Sequence, residues 1–224
     1  ESDYLMRIAN EFVGTIKNPK RLYIGVDDTF FLNNSSVSWE DCKKQNILAV
    51  TSPQPHKDNE TSIRTLVQLK KDYPEIDWKL TIVGGQSIKQ WDNLKSFALI
   101  NKVQNSVEIL GPQSKKTLVT LMQNSICVLS TSLVESFCMV AVESMAAGCP
   151  VVVTNETSMP ESVGGNAIVV NARDYIRMSC EVHTLYVDID KRRSYVNLGR
   201  SWASSFSSES FRENLYKILD FNDV

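Results

Sequence analysis

Histidine is nearly absent: His56 and His183 are the only two, too few for a multi-histidine metal centre. The five cysteines, at 42, 127, 138, 149 and 180, are odd in number and show no CxxC spacing. Four of them stand in apolar surroundings, as reduced thiols filling a core would. No apolar run approaches the roughly 18 residues of a membrane span. Basic residues form no long stretch, since Lys115-Lys116 and Lys191-Arg192-Arg193 are short and separate. With a net charge of −2, this argues against a broad phosphate-neutralising face for nucleic acid. ESDYLMRIAN, at residues 1–10, lacks a basic segment leading into an apolar one, so no secretory signal is read. The expected location is therefore the cytoplasm, and the sequons at 59–61 and 155–157 count as chance.

What is present is an ordinary globular composition, 42% hydrophobic and 22% charged, with a regular period from residue 45 onward. Short apolar runs read as strands at 47–50, 78–83, 107–110, 126–130, 150–154 and 167–170. Between them, helices are expected over 59–73, 87–102, 114–123 and 138–147, with Gly148 closing the last. Towards the ends, 4–16, 174–187 and 196–219 read as helical and 22–24 as a strand. Strands with continuous rather than alternating apolar character, each followed by a helix, predict a doubly wound, Rossmann-like parallel sheet. Such sheets bind ligands at the carboxyl ends of their strands, here 51–59, 84–87, 111–114 and 131–138.

One stretch, VESFCMVAVESMAAGCPVVV at 134–153, carries the candidate chemistry. Glu143 is the lone charge between Phe137 and Thr154, and Glu135 stands eight positions before it. A helix beginning near Cys138 would offer the N–H groups of Phe137, Cys138, Met139 and Val140 to an anion. The two carboxylates would then flank a phosphate and suit hydroxylated rings on either side of it, as in a nucleotide sugar. A bland reading stands beside this one, with Glu143 on the solvated face of an amphipathic helix.

Further motifs bear on the choice. ESFCMVAVESMAAGCPVV resembles the E-x7-E signature of the group 1, family 4 retaining glycosyltransferases of the GT-B fold. GVDDTFF (25–31), ILAVTSPQPHKDN (47–59), LTIVGG (80–85), the segment 107–132 and WASSFSSESFRENLYKIL (202–219) resemble other segments of that family, in the same order. The resemblance implies the C-terminal half of a GT-B fold. Residues 1–20 would be a remnant crossover from a missing N-terminal domain, 21–200 the nucleotide-sugar-binding domain, and 201–224 a helix packing back toward the missing half. It further implies that Glu143 receives the ribose hydroxyls, Glu135 contacts the transferred sugar, and the backbone at Phe137–Val140 holds sugar and diphosphate. Lys57 would pair with the diphosphate, Pro112-Gln113 would lie against the base, and Gly85 would belong to the same donor-binding set. Ser52 stands where the family usually has arginine, and Cys138 where it usually has glycine after Phe.

The implied partners are a UDP- or GDP-hexose and a glycan or lipid-linked acceptor, with no metal or other cofactor. Peripheral association with the inner face of a membrane would run through the missing half, and the chain alone would bind donor but transfer poorly. Two other classes compete: a non-catalytic sugar-nucleotide or partner module, and a sugar-nucleotide epimerase, which fits less well for want of acid/base groups. Asp188-Ile189-Asp190 has the DxD spacing of metal-dependent transferases but reads as a helix start, since acidic residues favour helix N-termini.

Overall fold

The computed structural model describes residues 2–13, 20–31, 45–86 and 88–219. Six parallel strands run β1 (Asn46–Thr51), β2 (Lys79–Gly84), β3 (Val107–Leu110), β4 (Cys127–Ser130), β5 (Val151–Thr154) and β6 (Ile168–Val170). Their order in the sheet is β3-β2-β1-β4-β5-β6, the doubly wound arrangement that the strand composition predicts. The chain reverses direction across the sheet between β1 and β4, so a crevice opens above their carboxyl ends.

Helices cover both faces, as continuous apolar strands require. On one face α2 (Asn59–Asp72), α3 (Asp92–Ile100) and α7 (Tyr175–Val187) enclose a core that includes Ile47, Leu66, Leu80, Ile82, Trp91 and Val182. On the other, α4 (Lys115–Gln123), α5 (Met139–Ala146), α6 (Met159–Val163) and α8 (Ile189–Ser204) enclose Leu48, Val128, Ala141, Met145 and Val153. Successive residues of β1 feed opposite cores, the period of two that a strand imposes.

The ends of α5 follow from its flanking residues. At its C-terminus Gly148 adopts φ +77, its N–H bonds the Met145 carbonyl and the Cys149 N–H bonds that of Ser144, a Schellman closure. The Arg200 guanidinium lies against this glycine, where a Cβ would collide with it. Gly84 is required by a close approach, because a Cβ there would overlap the Thr51 carbonyl of β1.

Several elements differ from the sequence reading. No strand forms at 22–24: Tyr23 instead packs at a tilt against Phe137, with ring centroids 5.0 Å apart, and the Val26 N–H bonds the Phe206 carbonyl. The helix expected over 87–102 is a 3-10 turn, Ile88–Trp91, followed by α3, with residue 87 outside the described residues. That expected over 4–16 is α1 (Asp3–Val13), its last three residues lying outside. In place of one helix over 196–219 there are α8 and α9 (Ser208–Leu219), and α8 runs across residue 200. Asp188 caps α8 by accepting the Lys191 N–H at 2.8 Å, the helix-start role read for DxD. Of the cysteines, 127, 138 and 149 are buried thiols, 180 is exposed, and 42 lies outside the described residues. No described helix is long and apolar enough to cross a membrane.

Candidate donor-binding site

Lys57 is placed by a short 3-10 turn, Pro55–Lys57, and by Asp58, which takes a left-handed conformation at φ 45 before α2 begins. Aspartate tolerates this region better than most residues. The turn is stitched to the loop after β4. The Leu133 N–H donates to the His56 carbonyl at 2.7 Å, and the Thr131 hydroxyl lies 3.0 Å from both the Lys57 and the Asp58 carbonyls. Glu135 is fixed from the other side: its N–H donates to Thr157 Oγ1 at 2.9 Å, and Ser158 Oγ donates to its carbonyl at 2.8 Å.

These anchors bring Lys57 and Glu135 together although 78 residues separate them. Lys57 Nζ lies 2.6 Å from Glu135 Oε1, and Ser132 Oγ donates to the same oxygen at 2.8 Å. The pair lines a pocket of about 170 Å3 at the carboxyl ends of β1 and β4. Phe137, Cys138, Met139 and Val140 close its far wall, where α5 begins.

Of the four N–H groups at this helix start, two are already engaged. Cys138 donates to Ser162 Oγ at 2.9 Å and Met139 to the Phe137 carbonyl at 3.0 Å. Those of Phe137 and Val140 bond no described residue. The Cys138 thiol is buried beside Ser130 Oγ, 3.6 Å away, and burial pushes its pKa up to about 11. It is a filler and not a thiolate nucleophile.

Glu143 is outside this pocket's lining, one turn further along α5. Its side chain makes no hydrogen bond or ion pair with any described residue. Burial raises its pKa to about 7, against an opposing pull from Lys115. Lys115 itself is bound to Asp27, Nζ to Oδ2 2.6 Å, and that pair holds the Asp27 carboxyl far below the usual carboxylate range. Lys115 and Asp27 were missed by the sequence reading. GVDDTFF and the start of α4 were each noticed, but nothing in a linear pattern shows that they meet beside Glu143.

The remaining predicted residues are not in the pocket. Ser52 follows β1, and its carbonyl accepts from Asn59 Nδ2 at 2.7 Å. Gly85 has φ +70 and packs against Trp91. Pro112 and Gln113 are exposed between β3 and α4, just ahead of Lys115, with Gln113 Nε2 donating to the Gly111 carbonyl at 3.3 Å. The arrangement can therefore do two things: neutralise an anion at the α5 start, and accept hydrogen bonds at Glu143.

Comparison with known proteins bears on the family and the fold. The family model for glycosyl transferases group 1 matches residues 33–202. A D-inositol 3-phosphate glycosyltransferase of Corynebacterium jeikeium is 27% identical over 163 residues, 70% of this chain and 39% of that protein. The mouse alpha-1,3/1,6-mannosyltransferase ALG2 is 26% identical over 125 residues, 52% of this chain and 30% of that protein. The chain thus spans about two-fifths or less of these relatives' length. Among solved structures, Anabaena HepE in complex with UDP-glucose superposes with a TM-score of 0.75 at 20% identity, covering 90% of this chain and 57% of that one. S. aureus TarM in complex with fondaparinux, alpha-GlcNAc-glycerol and UDP superposes with a TM-score of 0.79 at 18% identity, covering 97% and 42%. At these identities the structural likeness establishes the GT-B type of fold.

Proposed function

The chain belongs to the group 1 glycosyl transferases, and from that premise we propose that it is the donor-binding half of a retaining, family 4 hexosyltransferase. One observation carries the reading. At the switch point of the sheet, a lysine and the start of α5 share one pocket, and an unpartnered carboxylate stands one turn beyond.

The free N–H groups of Phe137 and Val140, with the dipole of α5 behind them, receive the diphosphate. Lys57 turns from Glu135 to the phosphates and offsets the charge that builds on the leaving group. Glu135, released from its cation but still held by Ser132, accepts from the hydroxyls of the transferred hexose. Glu143 accepts from the ribose hydroxyls, and Pro112-Gln113 lie against the base near the start of α4. No divalent metal enters this scheme, because Lys57 and the helix start neutralise the diphosphate. The solved neighbours bound to UDP or UDP-glucose favour a UDP-sugar over a GDP-sugar. The acceptor is a glycan or a lipid-linked sugar, met in the cytoplasm with the other half of the protein contributing to its binding.

A thermal-shift panel of UDP, GDP, UDP-glucose and GDP-mannose tests the reading. Saturation at about 100 times Kd adds about 2.7 kcal/mol, or roughly 5 °C in Tm for a domain of this size. The expected result is a shift with UDP-glucose that is lost in both Lys57→Ala and Glu143→Gln. No shift with any of the four, at millimolar concentration, would overturn it.

A further inference from the structure

A second, larger hollow of about 400 Å3 lies beside the donor pocket, on the far side of the loop that carries Lys57. Its walls come from that loop, the start of α2 and the start of α3. Lys57 lines one cavity and its neighbour Asp58 the other. The two cavities differ sharply in charge. The donor pocket contains the Lys57–Glu135 pair and the start of α5, whereas the hollow is lined by Asp58 and Glu60 and by no lysine or arginine. A phosphate would meet no cationic side chain on its walls, only two carboxylates whose arginine partners, Arg173 for Asp58 and Arg64 for Glu60, lie outside the lining.

The remaining lining is amide and apolar. Asn59 is 9% exposed, and its Nδ2 is committed to the Ser52 carbonyl. Its Oδ1 has no hydrogen-bond partner among the described residues and is not sealed off from solvent. An acceptor that water reaches on a cavity wall is a place where a ligand hydroxyl can take the water's position. Gln54 and Asn93 project from opposite walls, both exposed and both without a side-chain hydrogen bond to a described residue. Amides donate and accept at once, which matches the alternating capacity of adjacent sugar hydroxyls. Pro53, Pro55 and Leu94 supply apolar edges for the C–H face of a ring. The size falls in the range of small-molecule sites, about 300–1,000 Å3.

We infer that this hollow is a neutral-saccharide subsite, separate from the donor pocket, formed by Gln54, Asn59 and Asn93. The choice of a saccharide rests on the glycosyltransferase reading, but the cavity and its residues do not overlap with those assigned to the donor. One loop forms a wall of each cavity, so the subsite would place a sugar unit of the acceptor beside the donor hexose.

Saturation-transfer NMR on this chain with maltose and α-1,6-mannobiose, each at about 100 times the protein concentration, tests it. The expected result is transfer to at least one disaccharide, unchanged in Lys57→Ala and with saturating UDP, and reduced at least threefold in the Gln54→Ala, Asn93→Ala double variant. Both substituted side chains are exposed and hydrogen-bond no described residue, so the variant should fold; an unchanged Tm checks that. Absence of transfer with both sugars overturns the inference, as does transfer abolished by UDP, which would assign the sugar to the donor pocket. Failure of the donor reading alone would instead appear as a missing nucleotide shift with disaccharide binding intact.

Discussion

The loop before α5 and the second turn of α5 carry the same chemical group in opposite circumstances. Glu135 has a lysine and a serine on one carboxylate oxygen, and its backbone is fixed at both the N–H and the carbonyl. Glu143 has no hydrogen-bond or ion-pair partner for its carboxylate, and its backbone is held by α5, where its carbonyl accepts from the Ala147 N–H. The contrast shows where each carboxylate's stability comes from. Glu135 is compensated inside the chain, so a ligand that engages it must rearrange an existing pair. Glu143 is uncompensated, and burial favours its neutral form until something that donates hydrogen bonds arrives.

The largest test separates the two by pH. The folded-state pKa of Glu143, about 7, lies above its ordinary value, so the folded chain binds the extra proton. Stability from this group is therefore greatest below the unfolded carboxylate range and falls as pH rises towards about 7. Glu143→Gln removes the charge and with it this loss. The gap between variant and wild type should widen by about 3 kcal/mol from pH 4 to pH 8, read from urea midpoints. A constant gap would mean that Glu143 is solvated and that the contrast with Glu135 is false.

Next in size is Lys57→Ala, which leaves Glu135 part-buried with only Ser132 to satisfy it. A loss of about 2 kcal/mol is expected at pH 7, less than for a fully buried pair because both side chains keep some contact with water. Combining it with Glu135→Gln in a double-mutant cycle should recover at least half of that loss. Additive effects would show that the pair is a passive contact.

How far this comparison could be read from sequence depends on which kind of information each part needs. Strand β1, helix α2 and the stop of α5 are written locally, in apolar period and Gly148. Glu143 stood out because it interrupts an uncharged run. Its neighbours did not, since Asp27 and Lys115 reach it through tertiary packing. The same holds for Lys57 and Glu135, singled out separately and given different partners, one the diphosphate and the other the sugar. That they bind each other depends on the hydrogen bonds of Thr131 and Leu133 to the Lys57 turn. Helix α6 is five residues long, too short to show a period, yet it supplies Ser162 for Cys138 and Glu161 for the start of α1. The strand expected at 22–24 fails because Leu22 and Ile24 alternate around a tyrosine that packs at a tilt against two aromatic rings and not in a ladder.

The smallest effect gives the finest distinction. Ser132 Oγ donates to the Glu135 oxygen that also takes Lys57, while the Ser132 carbonyl accepts from Thr154 Oγ1 at 2.6 Å. Ser132→Ala deletes the first bond and leaves the second, so the loop should keep its path. Because the carboxylate retains its lysine, the cost should be about 1 kcal/mol or less. Its consequence for donor binding differs in kind from that of Lys57→Ala. If Glu135 is released when Lys57 turns to the diphosphate, Ser132 alone then orients it. The variant should therefore bind UDP as the wild type does and lose several-fold in affinity for UDP-glucose, measured by calorimetry on both ligands. Equal losses for the two would mean that Ser132 supports the pocket as a whole. Equal affinities would mean that Glu135 never leaves its lysine, and that the hexose is held by some other group.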